Sequence, residues 1–197
     1  MELLLVKHSH PEIRRDAPPE SWHLSKVGEA RAIRVAEHIA ALRKAIGRIV
    51  SSTEPKSVET AELIAKHVEP SLSVEVHKGL HEHVLDGEWF DDQESFDAAV
   101  SGFFQRPEEL VLGKETAAEA VSRFEAALSQ STSNASESVI VVTHGRVLSL
   151  FAAHRFGRDV VEFWRSLGLP ALVALGLPDL EPIDVVERFE FEFGFEN

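Results

Sequence analysis

Three stretches of this chain each carry an apolar run to an abrupt end at residues able to do chemistry. Leu3-Leu4-Leu5-Val6 stops at Lys7-His8-Ser9-His10, Ile49-Val50 stops at Ser51-Ser52, and Val139-Ile140-Val141-Val142 stops at Thr143-His144-Gly145. An imidazole can attack an electrophile, carry a proton or hold a metal ion, and a hydroxyl can orient it. Apolar runs without polar alternation read as strands buried on both faces. In open α/β sheets, ligands sit beyond the carboxyl ends of the parallel strands. His8, Ser51, Ser52 and His144 are therefore expected to converge on one site.

The elements between these stretches supply the framework. His10 to His23, with Pro11, Pro18 and Pro19, reads as a loop over the end of the first strand, and Arg14 lies in it. Ser25 is a good N-cap for a helix carrying Val35, Ile39, Leu42 and Ile46 on one stripe, with Gly47 closing it. Pro55 suits the first turn of a second helix, which places Lys56 in that turn. Leu72, Val74 and Val76 alternate as a strand, and Leu80-His81-Glu82 follows its end. Strand, helix, strand, helix, strand predicts a three-layer α/β/α sandwich with a mainly parallel central sheet.

Periodicity weakens over about residues 83–113, apart from the helical spacing of Phe96, Val100, Phe103 and Phe104, so this segment reads as an insert roofing the site. Thr116-Ala117-Ala118-Glu119 is a capping-box signature. Gly145 to Phe156 reads as a helix whose N-terminus faces the site. The tail predicts a strand over Ala171 to Leu177, a turn at Pro178-Asp179, and a last strand from Val185 to Phe195. There Phe189, Phe191, Phe193 and Phe195 alternate with glutamates, the pattern of a half-buried antiparallel strand or, as the alternative, an edge forming a homodimer.

Taken in order, Lys7-His8-Ser9, then Ser51 to Ala61, then Leu80-His81-Glu82, then Val142-Thr143-His144-Gly145 resemble the histidine phosphatase superfamily, whose fold is phosphoglycerate mutase-like. The resemblance spans nearly the whole chain. It implies one domain over 1–197 and a phosphomonoesterase that works without metal or other cofactor. His8 would be the nucleophile forming a covalent phosphohistidine, and Glu82 the general acid. Lys7, Lys56 and His144 would surround the phosphoryl oxygens, with Arg14, Ser52 and Gly145 as further phosphate-binding residues. That family usually reads Arg-His-Gly at its first block and carries an arginine in its second, where this chain has Lys7, Ser9 and Lys56. An ammonium is a hydrated point charge without the fixed fork of guanidinium, so a differently shaped phosphate pocket is expected.

Composition bounds these readings. At 197 residues, 44% hydrophobic and 27% charged, the chain fits a globular domain able to bury its own core. A net charge of −13 argues against nucleic acid and anionic membranes as partners. A small phosphorylated substrate, with inorganic phosphate as product, is the expected partner. Zero cysteines exclude disulfides and thiolate chemistry. The first apolar run is far short of the ~20 residues a membrane span requires, and a cytoplasmic location is expected.

Three other readings start from the same residues. His8-x-His10 and His81-x-His83, with Asp86 or Glu82, have the spacing of a metallohydrolase site. A non-catalytic phosphate-binding member of the fold would keep the pocket without turnover. A phosphomutase would return the phosphoryl group to a product instead of to water.

Overall fold

The computed structural model of the chain describes residues 1–86 and 89–189. Among the described residues six strands form one sheet: β1 (Glu2–Lys7), β2 (Ile46–Ser51), β3 (Val74–Val76), β4 (Ser138–Thr143), β5 (Ala171–Gly176) and β6 (Glu181–Val186). Their spatial order is β3-β2-β4-β1-β5-β6. The first four are mutually parallel, while β5 and β6 are added antiparallel at one edge. Helices α1 (Lys26–Ala41), α2 (Pro55–Val68), α3 (Gln93–Gln105), α4 (Ala117–Thr132), α5 (Gly145–Phe156) and α6 (Val160–Ser166) complete the α/β fold.

The apolar runs are buried on both faces because successive side chains point to opposite sides of a strand. Leu3 and Leu5 pack with Phe124, Leu148, Phe151 and Phe163 beneath α4, α5 and α6. Leu4 and Val6 pack with Val35, Ile39, Ala61 and Ile64 beneath α1 and α2. A third cluster joins Phe103 and Phe104 of α3 to Ala117 and Leu150.

The helix starts obey local chemistry. Ser25 accepts from Gly28 N–H at α1, and Thr116 and Glu119 form a reciprocal capping box at α4. Gly28 is where α1 meets the loop after β1, since a Cβ there would lie 2.0 Å from the His10 carbonyl oxygen. No helix among the described residues is long and apolar enough to cross a membrane.

Two expectations need correction. Helix α1 ends at Ala41, and Ile46 opens β2 instead of continuing the helical stripe. The chain turns between them with Arg43 at φ 51°, a left-handed conformation that no glycine or proline announces. The last described strand is Glu181–Val186, so Val185 lies near its end, not its start. Phe189 follows the strand and sets its ring edge-on against His38. The alternation through Phe191, Phe193 and Phe195 falls outside the described residues.

Candidate active site

Parallel register aligns the ends of three strands. Lys7 pairs with Thr143 across β1 and β4, and Ser51 pairs with Val142 across β2 and β4. The residues just beyond continue the ladder: His8 N–H donates to Thr143 O at 2.9 Å, and Ser52 N–H donates to Val142 O at 3.1 Å. His8, Ser52 and His144 therefore stand side by side beyond the carboxyl ends of three adjacent inner strands, as the sequence predicts.

His8 is buried, and its Nδ1 lies 2.7 Å from the carbonyl oxygen of Ser9. A carbonyl only accepts, so the ring proton sits on Nδ1 and the lone pair is left on Nε2. Ser9 serves His8 through its backbone; its hydroxyl donates instead to Gly28 O at 2.7 Å, tying the strand end to α1. Burial, together with His144, Lys56 and Lys7 nearby, holds the His8 pKa well below its ordinary value, which keeps the imidazole neutral and nucleophilic.

The His144 ring lies 5.0 Å from that of His8, centroid to centroid. Its Nε2 is 2.6 Å from Ser52 Oγ and 3.3 Å from Glu54 Oε1. Its Nδ1 is buried with no hydrogen-bond partner. Burial first, and Lys56 second, push the His144 pKa well down.

The two lysines approach from opposite sides. Lys7 shares the strand parity of Leu3 and Leu5, and its ammonium donates to Leu167 O at 3.0 Å. A Cβ on Gly145 would come within 3.1 Å of the Lys7 Cε, so glycine at 145 makes room for that side chain. Burial lowers the Lys7 pKa to about 8, with Glu82 opposing the drop. Lys56, from the first turn of α2, donates to Pro19 O at 2.6 Å and to Glu54 Oε2 at 2.5 Å.

Glu82 is held by the start of α5. Its carboxylate accepts from the backbone N–H groups of Arg146 (3.0 Å), Val147 (3.2 Å) and His83 (3.0 Å). The loop bearing it is anchored from two directions: Thr143 Oγ1 donates to Leu80 O, and Arg123 donates to the carbonyls of Gly79 and His81. Burial alone would raise the Glu82 pKa, but the Arg146 charge, His144 and the Arg146 backbone N–H outweigh it and the net shift is downward.

Two residues that sequence reasoning passed over complete the site. Arg146 is buried, its Nη2 donates to His83 O at 2.8 Å, and its Nε has no hydrogen-bond partner. A cation in the first turn of a helix opposes the helix dipole, so an arginine there signals a carboxylate or ligand that holds it. Glu54 is buried between Lys56 and His144. It sits at the N-cap of α2 yet makes no capping bond with its side chain. A glutamate where Ser, Thr or Asp is favoured was the available signal.

Arg14 is not brought to this site. Its guanidinium is exposed and pairs with Asp16 at 2.7 Å, two residues along the same loop. The histidines of the metal reading are likewise engaged elsewhere: His10 with Ser25 Oγ, His81 with Glu82 O, and His83 with Leu112 O while stacked on Phe103. Among the described residues no three His, Cys, Asp or Glu side chains are grouped to hold a metal ion.

Two cavities meet at His8, Glu82 and Arg146. One, of about 140 Å³, extends past Glu54 and Lys56 to Pro19 and Trp22. The other, of about 370 Å³, extends past Lys7 and Gly145 to Phe96 and Trp164.

A sequence profile of the histidine phosphatase superfamily (branch 1) matches residues 3–176. The chain belongs to that superfamily. Solved structures agree on the fold. A mycobacterial glucosyl-3-phosphoglycerate phosphatase, in complex with VO3, superposes with a TM-score of 0.71 at 18% identity, covering 94% of this chain and 98% of its own. The phosphoserine phosphatase of Entamoeba histolytica, in complex with 3-phosphoglyceric acid, gives 0.72 at 16% identity over 95% and 97%. A search of curated protein sequences returns no significant match.

Proposed function

We propose that this protein is a metal-independent phosphomonoesterase that passes the phosphoryl group of a small substrate through His8 to water. The observation carrying this reading is the Nδ1 contact of His8 with Ser9 O at 2.7 Å, which presents a neutral Nε2 lone pair beside His144. In the first step Nε2 attacks phosphorus, the ester P–O bond breaks, and the leaving oxygen takes a proton from Glu82. In the second, Glu82 draws a proton from water, the oxygen attacks phosphorus, and the P–N bond breaks to release phosphate.

Two buried nitrogens that make no hydrogen bond suit the phosphoryl oxygens. Among the described residues, His144 Nδ1 and Arg146 Nε are both buried without a hydrogen bond, and Arg146 Nε lies 3.8 Å from Glu82 Oε1. Ser52 Oγ accepts the Glu54 N–H at 3.3 Å, which frees its own proton for His144 Nε2 and leaves His144 Nδ1 to donate. Lys7 and Lys56 add charge from either side, and the N-termini of α2 and α5 add backbone dipoles, with Gly145 opening α5. Arg146 supplies the guanidinium that Arg14 does not.

The lowered Glu82 pKa fits its second role directly, because a carboxylate must accept the proton from water. For the first role it needs a proton, and an incoming phosphoryl anion raises its pKa by like-charge repulsion. The larger cavity, lined by Phe96 and Trp164, would take the leaving group, at a volume within the range of small-molecule pockets. His83, Val84 and Leu85 line one cavity, and Gln93, Phe96 and Asp97 line the other, which supports a roof built from this part of the chain.

Steady-state hydrolysis of a panel of phosphomonoesters, with chelator present, tests the reading. Turnover that His8→Ala abolishes is expected. Phosphate binding without turnover of any ester would favour a non-catalytic binding module instead.

A further inference from the structure

Glu54 places a carboxylate among the very donors an oxyanion needs. Its Oε2 is 2.5 Å from Lys56 Nζ, and its Oε1 is 2.8 Å from Glu82 N and 3.3 Å from His144 Nε2. It also lines the smaller cavity together with His8 and Lys56. The helix does not require it there, since Glu54 is the N-cap of α2 but its side chain caps nothing.

We propose that Glu54 is a specificity-determining residue, a resident carboxylate that competes with phosphoryl oxygens for Lys56 and His144 and so loosens the hold on free phosphate. The inference rests on the phosphatase reading of His8. With Pro19 O and Glu54 as acceptors, two of the three Lys56 N–H groups are already engaged. Glu54 Oε1, 3.3 Å from His144 Nε2, also sets negative charge beside the ring that an incoming oxyanion must approach. A site built this way releases its product readily and discriminates among phosphate esters by what else they contact in the larger cavity.

Calorimetric titration of the full chain with inorganic phosphate at neutral pH tests this, using wild type, Glu54→Gln and Glu54→Asp. Glutamine keeps the size, loses the charge and can donate to Nε2. Glu54→Gln is expected to bind phosphate about tenfold more tightly, in line with removal of one charge-assisted competitor. Glu54→Asp, with its carboxylate drawn back by one methylene, is expected to fall between. Equal or weaker binding by Glu54→Gln would overturn the proposal, because a residue that only positions Lys56 and His144 cannot raise affinity when removed. If Glu54→Gln does not fold, Glu54→Asp decides alone: tighter binding supports the proposal and unchanged or weaker binding overturns it. Phosphate binding to none of the three proteins would overturn the phosphatase reading and this inference together, whereas equal binding by all would overturn the inference alone.

Discussion

Ser52 Oγ stands 2.6 Å from His144 Nε2, joining the residue beyond β2 to the residue beyond β4 across the mouth of the sheet. Both groups are fully buried, so the bond fixes the ring without competition from water. Ser52→Ala would loosen the ring and leave Nε2 only the longer 3.3 Å contact with Glu54 Oε1. We expect kcat/KM on an aryl phosphate to fall about 10- to 100-fold, with Ser52→Thr recovering most of it. Unchanged kinetics in Ser52→Ala would show that this contact does not orient His144 for catalysis.

Lys7 gives the site an alkaline limit. Burial lowers its pKa from 10.5 to about 8, so the free protein loses this cation as pH rises past that value. The kcat/KM profile should therefore decline above about pH 8, and Lys7→Arg should shift that limb upward because guanidinium keeps its proton. Stability moves the other way. The unfolded chain holds the Lys7 proton up to about 10.5 and the folded chain only to about 8, so stability rises between those values. The gain is on the order of 3 kcal/mol at most. Urea titrations of wild type and Lys7→Met across that window should differ in slope.

Glu82 has a structural duty beside the chemical one proposed for it. It accepts three backbone N–H groups, two of them from the first turn of α5. Its lowered pKa adds stability that is present above its ordinary value of 4.5 and lost as pH falls below it. Glu82→Gln should flatten this acid loss, destabilise by about 0.5–2 kcal/mol at neutral pH, and lower kcat about 100-fold or more. An acid-denaturation midpoint that does not move in Glu82→Gln would contradict the stability half. An unaltered kcat would contradict the chemical half.

Much of this architecture is written in uninterrupted patterns. Leu3 to Val6 and Val139 to Val142 lack any polar alternation because helices cover both of their faces, and each run points at its histidine. The helix over Gly145 to Phe156 has the bounds its sequence predicts. Where pattern misled, a local conformation decided. Ile46 fits the α1 stripe, yet the reversal at Arg43 moves it into β2, and the seven residues of α6 are too few to carry a readable period. Of the candidate site, the meeting of His8, Ser52, Glu82 and His144 was legible and their counter-charges were not. Arg14 precedes a carboxylate two residues on and turns to it. Arg146 and Glu54 gain their meaning from Glu82, Lys56 and His144, partners that only the fold brings near.

The central claim is that His8 Nε2 carries the phosphoryl group. Rapid-quench mass spectrometry of the protein under single-turnover conditions with an aryl phosphate, in wild type and His8→Ala, addresses it most directly. The account predicts an acid-labile phosphoryl mass on the peptide containing His8 that forms and decays at the rate of turnover, and no such mass in His8→Ala. Hydrolysis by wild type with no phosphorylated intermediate, or a label on any other residue, would contradict it.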